Sequence, residues 1–484
     1  MVIAERDAIV AARRENPDRA IPVSRQILAD LDTPVSAYLK IRAEGPSFLL
    51  ESVEGGERIG RYSLIGSGPR RVLRIKNGQT IGAAPAGRDP LADVRRIAEQ
   101  YLPDVAGGSR FTGGALGYFS YEVATYFERL PRASCDPLDL PDAAFMDIDT
   151  LLIFDHVARM IRIVSHVRPG EAPEAGLRAA EERIDDLEAR LRRPLPAAPL
   201  GPAPVVAPAS NLTQPEFETM VHSAKDHIRR GDILQVVLSQ RLNVPLAGDP
   251  FGYYRRLRAV SPSPYMYFLD FGDHQIVGTS PELLVEVSGD SVISRPIAGT
   301  RRRSTDRQED QRLAEELLAD EKERAEHLML VDLARNDVGR VSAPGTVAVH
   351  QFMEVERFSH VMHLVSDVTG TLAPGSTGYD ALRAAFPAGT VSGAPKIRAM
   401  EIIADLERDQ RGPYAGAVGF INGSGNMEMA ITIRTGIVQN GTLHVQAGAG
   451  IVADSIPERE YMETMNKARA LLLAAGGTDD TARR

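Results

Sequence analysis

The chain holds 484 residues, with 56 Lys+Arg against 65 Asp+Glu for a formal net charge of −9, 43% hydrophobic residues and a single cysteine. An acidic balance of this kind gives no basic footprint for phosphates, which argues against nucleic acid and anionic membrane surfaces as partners and favours a small-molecule site. Cys135 alone can form neither an internal disulfide nor a cysteine metal cluster, and this fits a reducing cytoplasm.

The length suggests about three domains as a soft prior and equally allows one large domain plus an appendage. The first twenty residues carry charges every few positions, and no apolar run is long enough to span a bilayer, so neither export nor membrane insertion is expected. Between Leu151 and Val167, apolar and polar residues alternate on either side of a polar middle, which predicts a hairpin. A charged helix follows from about Glu171 to Arg192, so residues 18–193 form an α+β region. Pro194 to Ser210 holds repeated prolines and no charge, the composition of an extended linker into the region 211–475.

Thr213 and Glu216 have capping-box spacing with Pro215 inside the first turn, and Phe217, Met220, Val221, Ala224 and Ile228 recur at helical spacing up to a Gly231 cap. Downstream, short strand-like runs alternate with a few long helices, without a βαβ repeat. Turn pairs at Gly272-Asp273 and Asn440-Gly441 favour antiparallel pairing. The fold class expected is α+β, a large, mostly antiparallel β-sheet sandwich flanked by helices.

Several positions could carry chemistry. Glu326 shares a helical face with Met329, Leu330 and Leu333, and an inward carboxylate needs a partner. Ser455 and Glu458 read as a capping box for a final helix that places Glu460 and Glu463 on one side. Arg459 and Lys467 could neutralise Glu463 at i±4, or a hard divalent ion such as Mg²⁺ could be shared with Glu326; the residues alone leave these level. The glycine-rich stretches Ala447–Ile451 and Gly389–Lys396 offer backbone N–H groups for anionic oxygens. His363 and Arg434 stand among aliphatic residues, where a structural role is the commoner one.

Six runs, PIAGTRRR (296–303), EHLMLVDLARNDVGRV (326–341), FSHVMHLVS (358–366), GTVSGAPKIRAMEII (389–403), GPYAGAVGFI (412–421) and AGAGIVADSIPERE (447–460), resemble the chorismate-utilising enzymes. Within them the likeness is to anthranilate synthase large subunits, from about Ile21 to Leu473. Gln235 stands where isochorismate and salicylate synthases carry a water-activating lysine. Ala298 stands where covalent aminodeoxychorismate synthases carry a lysine nucleophile. An aminodeoxychorismate synthase without that lysine and a non-catalytic tryptophan-binding relative are the rivals.

The resemblance implies a Mg²⁺-dependent lyase that converts chorismate and ammonia to anthranilate and pyruvate, the first step of tryptophan biosynthesis. It implies Glu326, Glu463 and Glu460 as metal ligands, and Gly299, Thr300, Tyr414, Arg434, Gly448, Ala449 and Gly450 around the substrate. Glu282, His363 and Thr390 match positions near the reacting ring carbons. FLLES and PYM imply a feedback site for L-tryptophan at Glu51, Ser52, Pro264, Tyr265 and Met266. The chain contains no glutamine amidotransferase, so a separate glutaminase subunit in a hetero-oligomer, or free ammonia, is expected to supply nitrogen. One departure is GTRRR at 299–303, where many relatives read GTRPRG.

Overall fold

The computed structural model describes residues 6–52, 60–81, 89–103, 111–197, 200, 207–358 and 361–476. Parts of the proline-rich segment and of FSHVMHLVS, residues 198–199, 201–206 and 359–360, lie outside the described residues.

Two large antiparallel sheets dominate. The first has twelve strands, running from Ile21–Leu28 at one edge through Met160–Val167, Leu151–Asp155, Tyr62–Ser67, Ser47–Glu51, Tyr265–Asp270, His274–Ser280, Thr435–Gln439 and Thr442–Ile451 to Gln235–Pro245. That last long strand also pairs with Ala209–Ser210 and Gly393–Ala394. The second has ten strands, among them Leu283–Ser288, Met427–Ile431, Ala417–Asn422, Gly114–Phe119 and Ala143–Ile148 as successive neighbours.

Strand alternation builds the layers. In Tyr265–Asp270, Tyr267 and Leu269 enter a core with Phe48, Tyr118, Met146 and Phe420 of both sheets. Met266 and Phe268 point the other way, into a core with Leu49, Phe251 and Leu257 beneath the helices Pro34–Ile41, Pro173–Leu191, Pro250–Val260 and Pro457–Ala475. A further core on the second sheet packs Leu284 and Met429 under Pro90–Ala98, Glu321–Gly339 and Gly378–Ala385. The expected sandwich flanked by helices is therefore present, as four layers.

Ser47–Glu51 pairs with Tyr265–Asp270, and Gly114–Phe119 pairs with Ala417–Asn422. Both sheets thus take strands from both sides of the proline-rich segment, which connects two interleaved stretches of chain.

Local signals survive with small shifts. The Leu151–Asp155 and Met160–Val167 hairpin forms, and the helix Gln214–Arg230 has the Thr213–Glu216 capping box and a left-handed Gly231 at φ 82°. The expected Ser455–Glu458 box does not form: the final helix begins at Pro457 behind Ile456, and the Ser455 hydroxyl accepts instead from the Val452 N–H at 3.0 Å.

One buried cation ties several elements together. Arg411, 1% exposed, donates through Nε and Nη2 to the two Glu407 oxygens at 2.8 and 2.6 Å. It also donates to the carbonyls of Val391 and Val237, each at 2.7 Å. Glu407 accepts from the Ser239 N–H and hydroxyl at 2.7 and 2.9 Å. Arg411→Met should cost about 3–5 kcal/mol in urea unfolding, because it leaves a buried carboxylate without its partner. Arg411→Met/Glu407→Leu should cost less than the two single variants summed.

Candidate active site

Glu282 sits just beyond the strand His274–Ser280 and is 6% exposed. Burial pushes its carboxyl up to about 8, against the opposing pull of the Thr390 hydroxyl, the Ile297 N–H and the Lys467 charge. Thr390 Oγ1 donates to Glu282 Oε2 at 3.2 Å. The single turn that presents Thr390, Gly389–Val391, lies against helix Glu321–Gly339 so closely that a Cβ on Gly389 would stand 1.9 Å from Leu333 Cδ2. Close packing is thus one reason for this glycine, apart from any anion.

A three-stranded sheet of Ile297–Arg302, Val361–Val365 and Glu354–Arg357 carries Gly299, Thr300 and His363. It has its own small core of Leu313, Leu317, Met362 and Leu364, closed by helix Arg307–Ala319. His363 Nδ1 lies 2.7 Å from the Gly299 carbonyl and 3.2 Å from Thr300 Oγ1. The carbonyl contact assigns the proton to Nδ1. Burial lowers the His363 pKa, with a smaller push in the same direction from Arg434. The imidazole is therefore neutral while Glu282 keeps its proton through neutral pH.

Arg434 adopts a left-handed φ of 50° between the strands Met427–Ile431 and Thr435–Gln439. Its surroundings are mostly protein, yet its surface is not fully closed to solvent. Burial lowers its pKa, and the nearby Tyr414 and Glu463 oppose that. Tyr414 lies over Arg411, 5.7 Å from guanidinium to ring centroid, and burial raises its phenol to about 12. A Cβ on Gly448 would come within 2.7 Å of the Tyr414 hydroxyl.

The AGAGI segment is part of strand Thr442–Ile451, with Gly448, Ala449 and Gly450 opposite Ser239, Leu238 and Val237. On its other side Thr435–Gln439 pairs only as far as Gly436 opposite Val445. From Gln446 onward that edge has no neighbouring strand among the described residues, and the Gly448 carbonyl accepts there from Lys467 Nζ at 3.0 Å.

Glu326 is half-buried, and the fully buried face of its helix belongs to His327, Leu330 and Val331 instead. Burial raises the Glu326 carboxyl, and Glu323 and Glu463 raise it further. Glu460 is 8% exposed and is raised by burial and by Glu463, while Ser455 opposes. Glu463 is exposed and pairs with Lys467 at 2.7 Å; Arg459, the alternative partner, forms no ion pair among the described residues.

Glu463 thus raises both Glu326 and Glu460, which are held partly out of water, and an all-oxygen anionic set of this kind fits a hard divalent cation. Among the described residues no three acidic, His or Cys side chains already stand in metal-holding positions.

All five expected regulatory residues line one cavity of about 310 Å³ between the two sheets. Two of them do so differently from the expectation. Glu51 and Met266 are opposite one another in the sheet and face the helical layer. The Glu51 carboxylate is taken by Tyr254 at 2.6 Å and by Arg258 at 3.0 and 3.1 Å, so only its main chain can meet a ligand. Ser52, Pro264 and Tyr265, with Leu64 and Phe420, form the polar and apolar walls.

Sequence reasoning missed Arg411 and Glu407 beneath Tyr414, and also the buried Lys396–Asp337 pair at 2.7 Å behind the Thr390 turn. The lysine is part of the GAPK run, but nothing local to that run shows that its ammonium is buried.

With Glu282 as proton donor, the rate at fixed free NH₃ should fall above an apparent pKa near 8. Glu282→Gln should lower kcat by about 10²–10⁴ and abolish that alkaline limb. Thr390→Val, which removes a bond to the ionised carboxylate, should move the limb to higher pH.

A family model for chorismate binding enzymes matches residues 45–473. The chain is 50% identical to anthranilate synthase component 1 of Thermus thermophilus over 94% of this chain and 98% of that one. It is 47% identical to the protein of the same name from Streptomyces coelicolor, over 98% and 92%. Among solved structures, anthranilate synthase component I from Streptococcus pneumoniae aligns with a TM-score of 0.77 at 39% identity, over 92% of this chain and 98% of that one. The Escherichia coli isochorismate synthase MenF shares the fold, with a TM-score of 0.72 at 19% identity, over 97% and 99%. The chain belongs to the chorismate binding enzymes, in the group of anthranilate synthase component 1.

Proposed function

We propose that the chain is the synthase subunit of an anthranilate synthase, acting in the cytoplasm on chorismate and ammonia with release of anthranilate, pyruvate and water. The observation that carries the reading is a buried carboxyl that keeps its proton at neutral pH, Glu282, held by Thr390 in a chain with close relatives of that name.

Ammonia attacks ring carbon C2 while the C4 hydroxyl departs. A departing hydroxyl needs a proton, and protonated Glu282 is suited to give it. The Glu282 carboxylate that results is then a base eligible to take the C2 proton as pyruvate is eliminated and the ring becomes aromatic. Arg434, Tyr414 and the open backbone edge at Gly448–Gly450 suit the enolpyruvyl side of the substrate. Mg²⁺, when held by Glu326, Glu460 and Glu463, supplies positive charge for the ring carboxylate. Gly299 and Thr300 position His363 beside the ring.

Nitrogen arrives as ammonia from a separate glutaminase subunit. Ala298, buried in its strand, offers no amine for a covalent adduct, and Gln235 offers no base for water. Purified chain with chorismate, Mg²⁺ and ammonium should form fluorescent anthranilate as its main product. Isochorismate, salicylate or aminodeoxychorismate as the main product would overturn the assignment.

Feedback by L-tryptophan at the cavity between the sheets completes the reading. An indole fits beside Tyr265 and Phe420, and the ligand's polar end fits beside Ser52 and the backbone of Glu51. The cavity also reaches the small sheet that carries His363. Arg295, Gln351 and Asp367, on the segments flanking its three strands, are in the cavity wall, and Arg295 donates to Asp367 at 2.8 Å and to Gln351 at 3.4 Å. Ser52→Phe, which fills the pocket, should weaken tryptophan inhibition about tenfold or more with little change in the uninhibited rate. Inhibition as strong as in the parent would exclude this cavity.

A further inference from the structure

Lys467 lies one helical turn beyond Glu463, and a Glu–Lys pair on a solvated helix face would by itself be unremarkable. Its other contact sets it apart. Nζ, 2.7 Å from Glu463 Oε1, also donates to the Gly448 carbonyl at 3.0 Å, bridging the final helix to the open edge of strand Thr442–Ile451. Its charge also favours the ionised forms of Glu282, Glu326 and Glu460, which belong to separate parts of the chain. Lys467 is thus a cation set among the four carboxylates of the site, with one of them as its direct partner.

Glu326 and Glu460, held partly out of water, and the exposed Glu463 beside them call for counter-charge. A divalent ion on the Glu463 carboxylate would stand within a few ångström of the ammonium that now takes one of its oxygens, and like charges at that range repel. We propose that Lys467 is an internal competitor for the metal: it occupies Glu463, and binding of a divalent cation requires that Glu463 exchange the ammonium for the ion. The released ammonium, beside the Gly448 carbonyl, is then free to meet a carboxylate of the substrate. Lys467 is in this sense a positioning residue, coupling the filling of the metal site to the binding of an anionic substrate. The inference rests on the metal assignment made above for Glu326, Glu460 and Glu463.

The test is calorimetric titration of Mg²⁺ into the full chain without chorismate. Lys467→Met keeps side-chain length and helix propensity, and it should bind Mg²⁺ about five- to tenfold more tightly than the parent, since it removes both the competitor and a nearby positive charge. Lys467→Arg should bind as the parent does. In steady state, Lys467→Met should raise KM for chorismate more than it lowers kcat. Mg²⁺ binding by folded Lys467→Met that is no tighter than the parent's overturns the proposal, and Lys467→Gln repeats the measurement with a polar side chain. Glu463→Gln separates this from the underlying assignment: if that variant binds Mg²⁺ as the parent does, the metal ligands are wrong, whatever Lys467 does.

Discussion

The buried ion pair between Arg411 and Glu407 is the constraint on which the site depends. A guanidinium in a desolvated interior is tolerable only when its donors are filled, and here Glu407 and the carbonyls of Val391 and Val237 fill four of the five. Those acceptors belong to the helix end after Lys396–Leu406, the turn that presents Thr390, and the long strand beneath Gly448–Gly450. The same cation lies under the rings of Tyr121 and Tyr414, at 4.7 and 5.7 Å. Parts of the site far apart in sequence are therefore registered against one rigid, charged group. A lysine could not replace it, because a single ammonium cannot meet four acceptors in this planar arrangement.

Above that framework the site is electrostatically unbalanced. Glu282 is shielded and keeps its proton, whereas Glu326 and Glu460 are both raised further by Glu463, against Lys467, Lys322 and, at Glu460, the Ser455 hydroxyl. The contrast follows from position. Glu282 is enclosed beside Thr390 and the neutral backbone N–H of Ile297, so desolvation dominates. Burial is the leading cause at Glu326 and Glu460 as well, but there neighbouring carboxylates add to it.

What the sequence made legible was whatever is encoded locally. Thr213, Glu216 and Gly231 mark both ends of a helix, because caps act within four residues. The alternation in Leu151–Val167 marks a hairpin, because a strand with one buried face repeats every second residue. What failed depended on register or on distant partners. Glu51 reads as a free acid beside Ser52, and only its pairing with Met266 and the arrival of Tyr254 and Arg258 turn it to the other face. Ser455 and Glu458 have capping-box spacing, but Pro457 starts the helix, so the spacing no longer fits. Arg411 lies in a polar run, RDQRGPYAG, in which nothing local marks a buried group; its burial is decided by Glu407 one turn earlier and by a strand nearly two hundred residues away. The expected site positions came from family words, whereas Arg411 and Glu407, which tie the surrounding segments together, did not.

The place of the large cavity follows from the same geometry. Gly419 lines that cavity, and a Cβ there would stand 1.9 Å from the Glu428 carbonyl of the neighbouring strand in its own sheet, so the position is held to glycine. The space opens beside the small sheet that bears His363, Gly299 and Thr300, whose own core is separate from the main ones. A body with an independent core moves more easily as a unit than its connections deform, so any shift of the small sheet is concentrated in the segments around Arg295, Gln351 and Asp367. Those segments carry the Arg295–Asp367 ion pair in the cavity wall. A ligand there has different contacts when the small sheet moves, and a difference in affinity between two arrangements is the only means by which a ligand can favour one of them.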